Sequence, residues 1–193
     1  MHELLLRNIK QKISLSAHDE EKLKTYFIPK KLRKKQYLLQ EGEVCQYAAF
    51  VEKGLLRCYS VDKKGNEHIL QFAMENWWIS DLYSFFSNEP SAYMIDALED
   101  SELLLVKKDK YEEMLQGIPA MERYFRLLLQ NNLIATQRRL NDKLSLSAED
   151  LYLALIESCN NIPQRVPQHM IASFLGITRE TLSRVRKQLS TGK

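Results

Sequence analysis

The sequence predicts an α+β chain: an N-terminal double-stranded β-roll of jelly-roll type, a long dimerisation helix, and a C-terminal helix-turn-helix. Three observations predict it. Between Gln36 and Lys107 short apolar runs recur about 8–12 residues apart with Gly and Asn in the turns, the mark of a sandwich or barrel. From Ala120 to about Asn141 apolar residues keep a helical period for roughly six turns. Pro167 to Arg186 then reads as two short helices joined at a glycine.

Bulk properties bound the class. A chain of 193 residues, 45% apolar and 27% charged, suits one large or two small globular domains and argues against wholesale disorder. No run approaches the roughly 18 apolar residues of a membrane span. Met1 to Arg7 has neither the apolar core nor the small-residue cleavage site of a signal peptide, so a cytoplasmic protein with no membrane partner is expected. Cys45, Cys58 and Cys159 are far apart, with no CxxC pair and no histidine at ligand spacing. They are expected to be small buried hydrophobes, with no metal and no cofactor. Residues 1–142 hold 21 Lys/Arg and 21 Asp/Glu, whereas residues 143–193 hold seven and four, so the whole +3 surplus lies at the C-terminal end. A basic module on a neutral body fits a polyanionic partner.

Taken in order, residues 14–28 read as a short helix with Ser16 as N-cap and Leu23, Tyr26 and Phe27 as its apolar stripe. The basic run Lys30 to Lys35 that follows is explained as well by a solvated face as by binding. Strands are expected at Tyr37–Leu39, Ala48–Val51, Leu55–Val61, His68–Phe72, Tyr93–Leu98 and Leu103–Val106, with turns at Glu41-Gly42-Glu43, Glu52-Lys53-Gly54 and Asp62 to Asn66. Leu56, Cys58 and Ser60 alternate with Arg57, Tyr59 and Val61, as in a half-buried strand. A helix is expected at 109–116, punctuated by Gly117 and Pro119. The long helix after it has apolar residues on more than one face, and packing on a small roll needs only one stripe. Met121, Tyr124, Phe125, Leu128 and Ala135 are therefore assigned to a seam with a second copy, Met121, Leu128 and Ala135 being spaced by sevens. Asn131, Asn132, Gln137 and Arg138 interrupt those heptads. Ser147 caps a helix reaching about Ser158, and Pro163 and Pro167 hold the next loop extended.

Each residue type from Pro167 onward suits two helices crossing steeply. Ile171 and Leu175 share a face, Ala172 is small where the second helix approaches, and Gly176 suits a left-handed C-cap. Thr178 can cap the next helix, whose buried stripe is Leu182, Val185 and Leu189. Arg179, Glu180, Ser183, Arg184 and Lys187 are left outward. Arg can hold guanine O6 and N7 with two hydrogen bonds and Glu can accept from cytosine N4, while Thr181, Arg186 and Lys187 suit phosphates. The plainer alternative is a helical hairpin with Glu180 and Arg184 paired at i, i+4.

The string Thr178-Arg179-Glu180-Thr181-Leu182-Ser183-Arg184 resembles the recognition helix of the Crp/Fnr superfamily of transcription regulators. Residues 36–106 resemble that family's cyclic-nucleotide-binding roll, including the turns at Glu41-Gly42-Glu43 and Val51-Glu52-Lys53-Gly54, and the long helix resembles its dimerisation helix. The resemblance implies three segments: a sensor roll at 1–118, a dimerisation helix at 119–142, and a DNA-binding domain at 143–193. It implies a homodimer on double-stranded DNA with a pseudo-palindromic operator, Arg179, Glu180 and Arg184 as base readers, an unknown small-molecule effector, and RNA polymerase as a further partner.

Two departures qualify it. Relatives that bind cyclic AMP grip the ribose with Glu and the phosphate with Arg. The matching stretch here runs Ser80-Asp81-Leu82 to Pro90-Ser91-Ala92, so Asp81, Leu82, Ser91 and Ala92 are the candidate effector pocket, but Pro90 stands at the Arg position. Without that cation a buried phosphate costs several kcal/mol, and cyclic AMP is not expected to bind. Trp77, Trp78, Tyr83, Phe85 and Phe86 nearby suit either core packing or another ligand. The chain also stops at Ser190-Thr191-Gly192-Lys193, where many relatives continue into a wing. The rival reading is a cyclic-nucleotide or small-ligand module whose helical tail docks on a protein. No enzyme is expected, because His2, His18, His68 and His169 are scattered and no nucleophile motif or phosphate loop is present.

Overall fold

The structure, a computed structural model, describes residues 2–191. Met1, Gly192 and Lys193 lie outside the described residues, and with them the end of the segment Ser190 to Lys193 at which a wing is not expected. The chain forms two compact units, residues 1–60 with 71–130 and residues 61–70 with 131–193.

The first unit opens with α1 (Glu3–Lys10) and α2 (Ala17–Lys24), continues through eight strands, and ends in helix. The strands are β1 (Phe27–Leu32), β2 (Tyr37–Leu39), β3 (Tyr47–Lys53), β4 (Leu56–Val61), β5 (Glu67–Ala73), β6 (Trp78–Ile79), β7 (Met94–Ala97) and β8 (Ser101–Lys107). They form two four-stranded sheets, β1-β8-β3-β6 and β2-β7-β4-β5, which is the expected roll. α3 (Leu82–Ser87) lies between β6 and β7, and α4 (Lys108–Gly117) follows β8.

β8 reads as a continuous apolar run because it lies between β1 and β3, with Leu103, Leu104, Leu105 and Val106 all buried. The helix expected over 14–28 is shorter. Ser16 caps α2 by accepting from the Asp19 N–H, but Phe27 already starts β1 and pairs opposite Val106 of β8. β1 is an edge strand, so Pro29 is tolerated and the basic run beginning at Lys30 lies partly on the sheet rim, where Lys31 pairs with Glu102. The alternation expected in β4 is also corrected, since Leu56, Arg57, Cys58 and Tyr59 are all buried. β4 is an interior strand, and Arg57 is accommodated by Asp96, directly opposite on β7. The guanidinium donates to both carboxylate oxygens at 2.8 and 3.0 Å and lies 3.9 Å from the Tyr59 ring centre.

α5 (Ala120–Ser145) is longer than expected and divides its apolar residues differently from the assigned seam. Met121, Tyr124 and Phe125 are buried in the core of the first unit, and Leu128 packs against that core. These four are satisfied within one chain. Ala135 is exposed. Trp78 is the hub there, with Phe27, Phe50 and Phe125 around it and its indole N–H donating to the Tyr124 hydroxyl. That hydroxyl donates in turn to Asn8 Oδ1. The large apolar residues left exposed on α5 are Leu129, Leu133, Ile134, Leu140 and Leu144.

The second unit holds the rest of α5, α6 (Ala148–Ser158), α7 (Ile162–Arg165), α8 (Gln168–Leu175) and α9 (Arg179–Ser190). Ser147 caps α6 as expected, accepting from the Asp150 N–H. The loop expected to be extended contains α7 instead, with Pro163 in its first turn, where a missing N–H costs nothing. Val166, just before Pro167, is extended.

Candidate nucleic-acid interface

α8 ends at Gly176, whose φ of 77° and ψ of 26° lie in the left-handed region. The Ile177 N–H returns to the Ala172 carbonyl and closes the turn. Thr178 then caps α9, its Oγ1 accepting from the Thr181 N–H at 3.1 Å. Leu182 and Val185 are buried where α9 packs against α6 and α8, beside Ile171, Ala172 and Leu175. With that stripe turned inward, Arg179, Glu180, Ser183, Arg184 and Lys187 are exposed. Thr181 and Arg186 are half-buried, and the Thr181 hydroxyl lies 3.0 Å from the Thr178 hydroxyl, so it is shared with the cap. Among the described residues no ion pair engages Arg179, Glu180, Arg184 or Lys187. The surface pairing of Glu180 with Arg184 is not formed. Two guanidinium groups, a carboxylate and an ammonium are therefore free to meet hydrogen-bonding edges on one helical face.

The same unit places two more cations against α8. Arg139 and Lys143 of α5 stand 5.0 and 5.9 Å from the Phe174 ring centre. Burial lowers the pKa of both, with Arg139 adding to the effect on Lys143.

In the first unit Asp81 caps α3, accepting from the Ser84 N–H, and is buried. Its other oxygen accepts from the Ser91 hydroxyl at 2.7 Å, so the structure brings Asp81 and Ser91 together as a closed pair. Leu82 and Ala92 are exposed. The backbone around them is equally committed: the Ser91 N–H donates to the Glu43 carbonyl, the Gly42 N–H to the Ser91 carbonyl, and Val44 bridges Pro90. Among the described residues the one buried side-chain polar atom without a partner is His2 Nε2. A cleft of about 500 Å³ is lined by Leu38, Leu39, Glu43, Val44, Cys45, Gln46, Tyr47 and Ile95, not by the four residues expected. Of the nearby aromatics, Phe85 is buried against Phe86 and Tyr111, whereas Trp77 and Tyr83 are exposed.

Sequence reasoning missed the Leu38–Tyr47 lining because its residues read only as strand and turn. The leucines exposed on α5 were legible as a stripe, but nothing local says which stripe the roll consumes.

Residues 29–117 match the family profile described as cyclic nucleotide-binding domain. The chain is 25% identical over 184 residues to the anaerobic regulatory protein of Bacillus subtilis (strain 168), covering 89% of this chain and 76% of that one. Its fold is similar to that of the c-di-GMP-responsive global regulator CLP of Xanthomonas campestris, with a TM-score of 0.73 at 15% identity over 92% of this chain and 93% of that one. It is also similar to that of a CRP/FNR-family transcriptional regulator of Thermus thermophilus, with a TM-score of 0.69 at 18% identity over 86% and 87%.

Proposed function

We propose that the protein is a dimeric, sequence-specific DNA-binding transcription regulator of Crp/Fnr type, a reading supported by the match of residues 29–117 to the cyclic nucleotide-binding domain profile and by the likeness of its fold to a CRP/FNR-family regulator. The observation that carries this reading is the unpaired, outward face of α9. Arg179, Glu180 and Arg184 are the base readers, with Ser183 beside them on the outward face; Thr181, Arg186 and Lys187 hold backbone phosphates and fix register. The three functional segments are the sensor at 1–118, the pairing helix at 119–142 and the reader at 143–193. Two copies pair through the exposed stripe Leu129, Leu133, Leu140 and Leu144 of α5, whose spacing of four, seven and four keeps one side of the helix apolar. Pairing places two α9 helices about 34 Å apart in successive major grooves of a pseudo-palindromic operator. RNA polymerase is the further partner on this reading, and the roll answers to a small molecule other than cyclic AMP.

Selection of bound duplexes from a random pool tests it. The wild-type protein should enrich a two-fold motif, and Arg184→Ala should lose preference at one base per half-site, worth roughly 1–3 kcal/mol, while salt-sensitive nonspecific binding persists. Enrichment of no motif, with no DNA binding at about 50 mM salt where phosphate contacts are strongest, would overturn the reading.

A further inference from the structure

We propose that Ser173 of α8 is a positioning residue that fixes the α8–α9 pair on α5 and so sets the spacing at which two half-sites are read. Its hydroxyl donates to the Glu67 carbonyl at 2.8 Å and accepts from the Ile69 N–H at 3.0 Å. One side chain thus fills two backbone valences at the start of β5, an edge strand whose residues 67–70 belong to the second unit, as a neighbouring strand would. Three residues beyond Glu67, the Leu70 carbonyl accepts from Arg139 of α5. Arg139 in turn covers the ring of Phe174, the residue after Ser173. α8, α5 and the start of β5 are therefore joined in a closed circuit inside the second unit. The turn at 62–66 that leads into β5 is braced independently: the Asp62 carboxylate accepts from the Lys64 and Asn66 N–H groups and the Asn66 amide, and lies 3.1 Å from His68 Nε2. With the circuit closed, Arg179, Glu180, Arg184 and Lys187 stay exposed, so the clamp orients the reading face without covering it.

The inference rests on the proposed DNA-reading function. Its test uses duplexes enriched by the wild-type protein, resynthesised with base pairs added or removed between the half-sites. Wild type should bind the two-base-pair insertion about 30-fold more weakly than the enriched spacing. Ser173→Ala should flatten that penalty to about 3-fold while keeping base preference within each half-site, and Ser173→Thr, which retains the hydroxyl, should restore it. Arg139→Gln, which opens the circuit from the other side, should flatten it too, and it serves if Ser173→Ala does not fold. An unchanged spacing profile in both opened variants overturns the inference, as does loss of base preference together with spacing. Hydrogen exchange at the Ile69 amide reads the clamp without DNA: protection in wild type that is lost in Ser173→Ala supports it, and an unprotected wild-type amide overturns it. If wild type enriches no motif while the Ile69 amide is protected, the DNA-reading function fails and the clamp does not.

Discussion

Tyr124→Phe removes one oxygen from the centre of the first unit and leaves the ring in place. That oxygen accepts from the Trp78 indole N–H at 2.9 Å and donates to Asn8 Oδ1 at 2.7 Å, and Tyr124 is fully buried. Asn8 Oδ1 keeps the Lys12 ammonium as a donor at 3.3 Å, and its amide keeps Asn76, so only one acceptor valence is lost there. The indole N–H loses the partner it has, and an unsatisfied buried donor costs about 1–3 kcal/mol. Adding about 1 kcal/mol for the bond to Asn8 gives a destabilisation of roughly 2–4 kcal/mol with no cavity contribution.

The hydroxyl also carries a pH signature. Burial pushes Tyr124 up from 10 to about 12, while the Trp78 donor pulls slightly the other way. The folded chain holds this proton after the unfolded chain has released it. Stability is therefore intact below pH 10 and falls by about 1.4 kcal/mol per unit as pH rises from 10 to 12. The variant lacks that limb, so its deficit should shrink across the same window; Tyr59 and Tyr111, also raised, are common to both proteins and cancel. Urea unfolding followed by fluorescence of Trp77 and Trp78 reports on this unit rather than on the whole chain. A deficit below about 0.5 kcal/mol at pH 8, or one that stays constant between pH 10 and 11, would refute the reasoning.

Asp96→Asn takes the charge from a pair whose side chains are 8% and 9% exposed, and it should cost about 3–5 kcal/mol in urea unfolding. The double change Arg57→Met with Asp96→Leu should recover most of that loss, and a double variant as unstable as the two singles combined would contradict the desolvation argument. Burial pushes the Cys58 thiol to about 12, so iodoacetamide at pH 8 should modify this cysteine only after denaturation; native labelling within minutes would show the site to be open. Titration with cyclic AMP should give no saturable heat, because Ser91 already donates to a buried carboxylate and its N–H to Glu43, and a micromolar Kd would be incompatible with that closed arrangement.

What could be read from the sequence was local. Gly176, Thr178 and Ser147 act within four residues of themselves, and each takes up the expected cap. The strands with turn residues at both ends were equally plain. β1 was hidden because Pro29, Lys30 and Lys31 disguise an edge strand whose pairing partners are 69 to 79 positions away, from Leu32 opposite Ser101 to Phe27 opposite Val106. The second buried face of β4 was hidden because Arg57 looks outward until Asp96, 39 positions later, lies opposite it. The α5 seam shows the same limit: periodicity reveals how many apolar faces a helix has, but only the fold shows that Met121, Tyr124 and Phe125 are consumed at home. For the candidate reader, the outward residues of α9 follow from 3.6-residue spacing alone, whereas Ser173 gives no signal without the start of β5 beside it.

That division of α5 bears on how the protein would be controlled by its own abundance. In the proposed dimer only the stretch from Leu129 to Ser145 is left for a partner, a seam of roughly 24 Å with four leucines. So short a junction makes association reversible on dilution, with subunits exchanging rather than permanently joined. Occupancy of a promoter would then climb with the square of the amount of free chain, and a modest rise in synthesis could switch a gene with no metabolite involved.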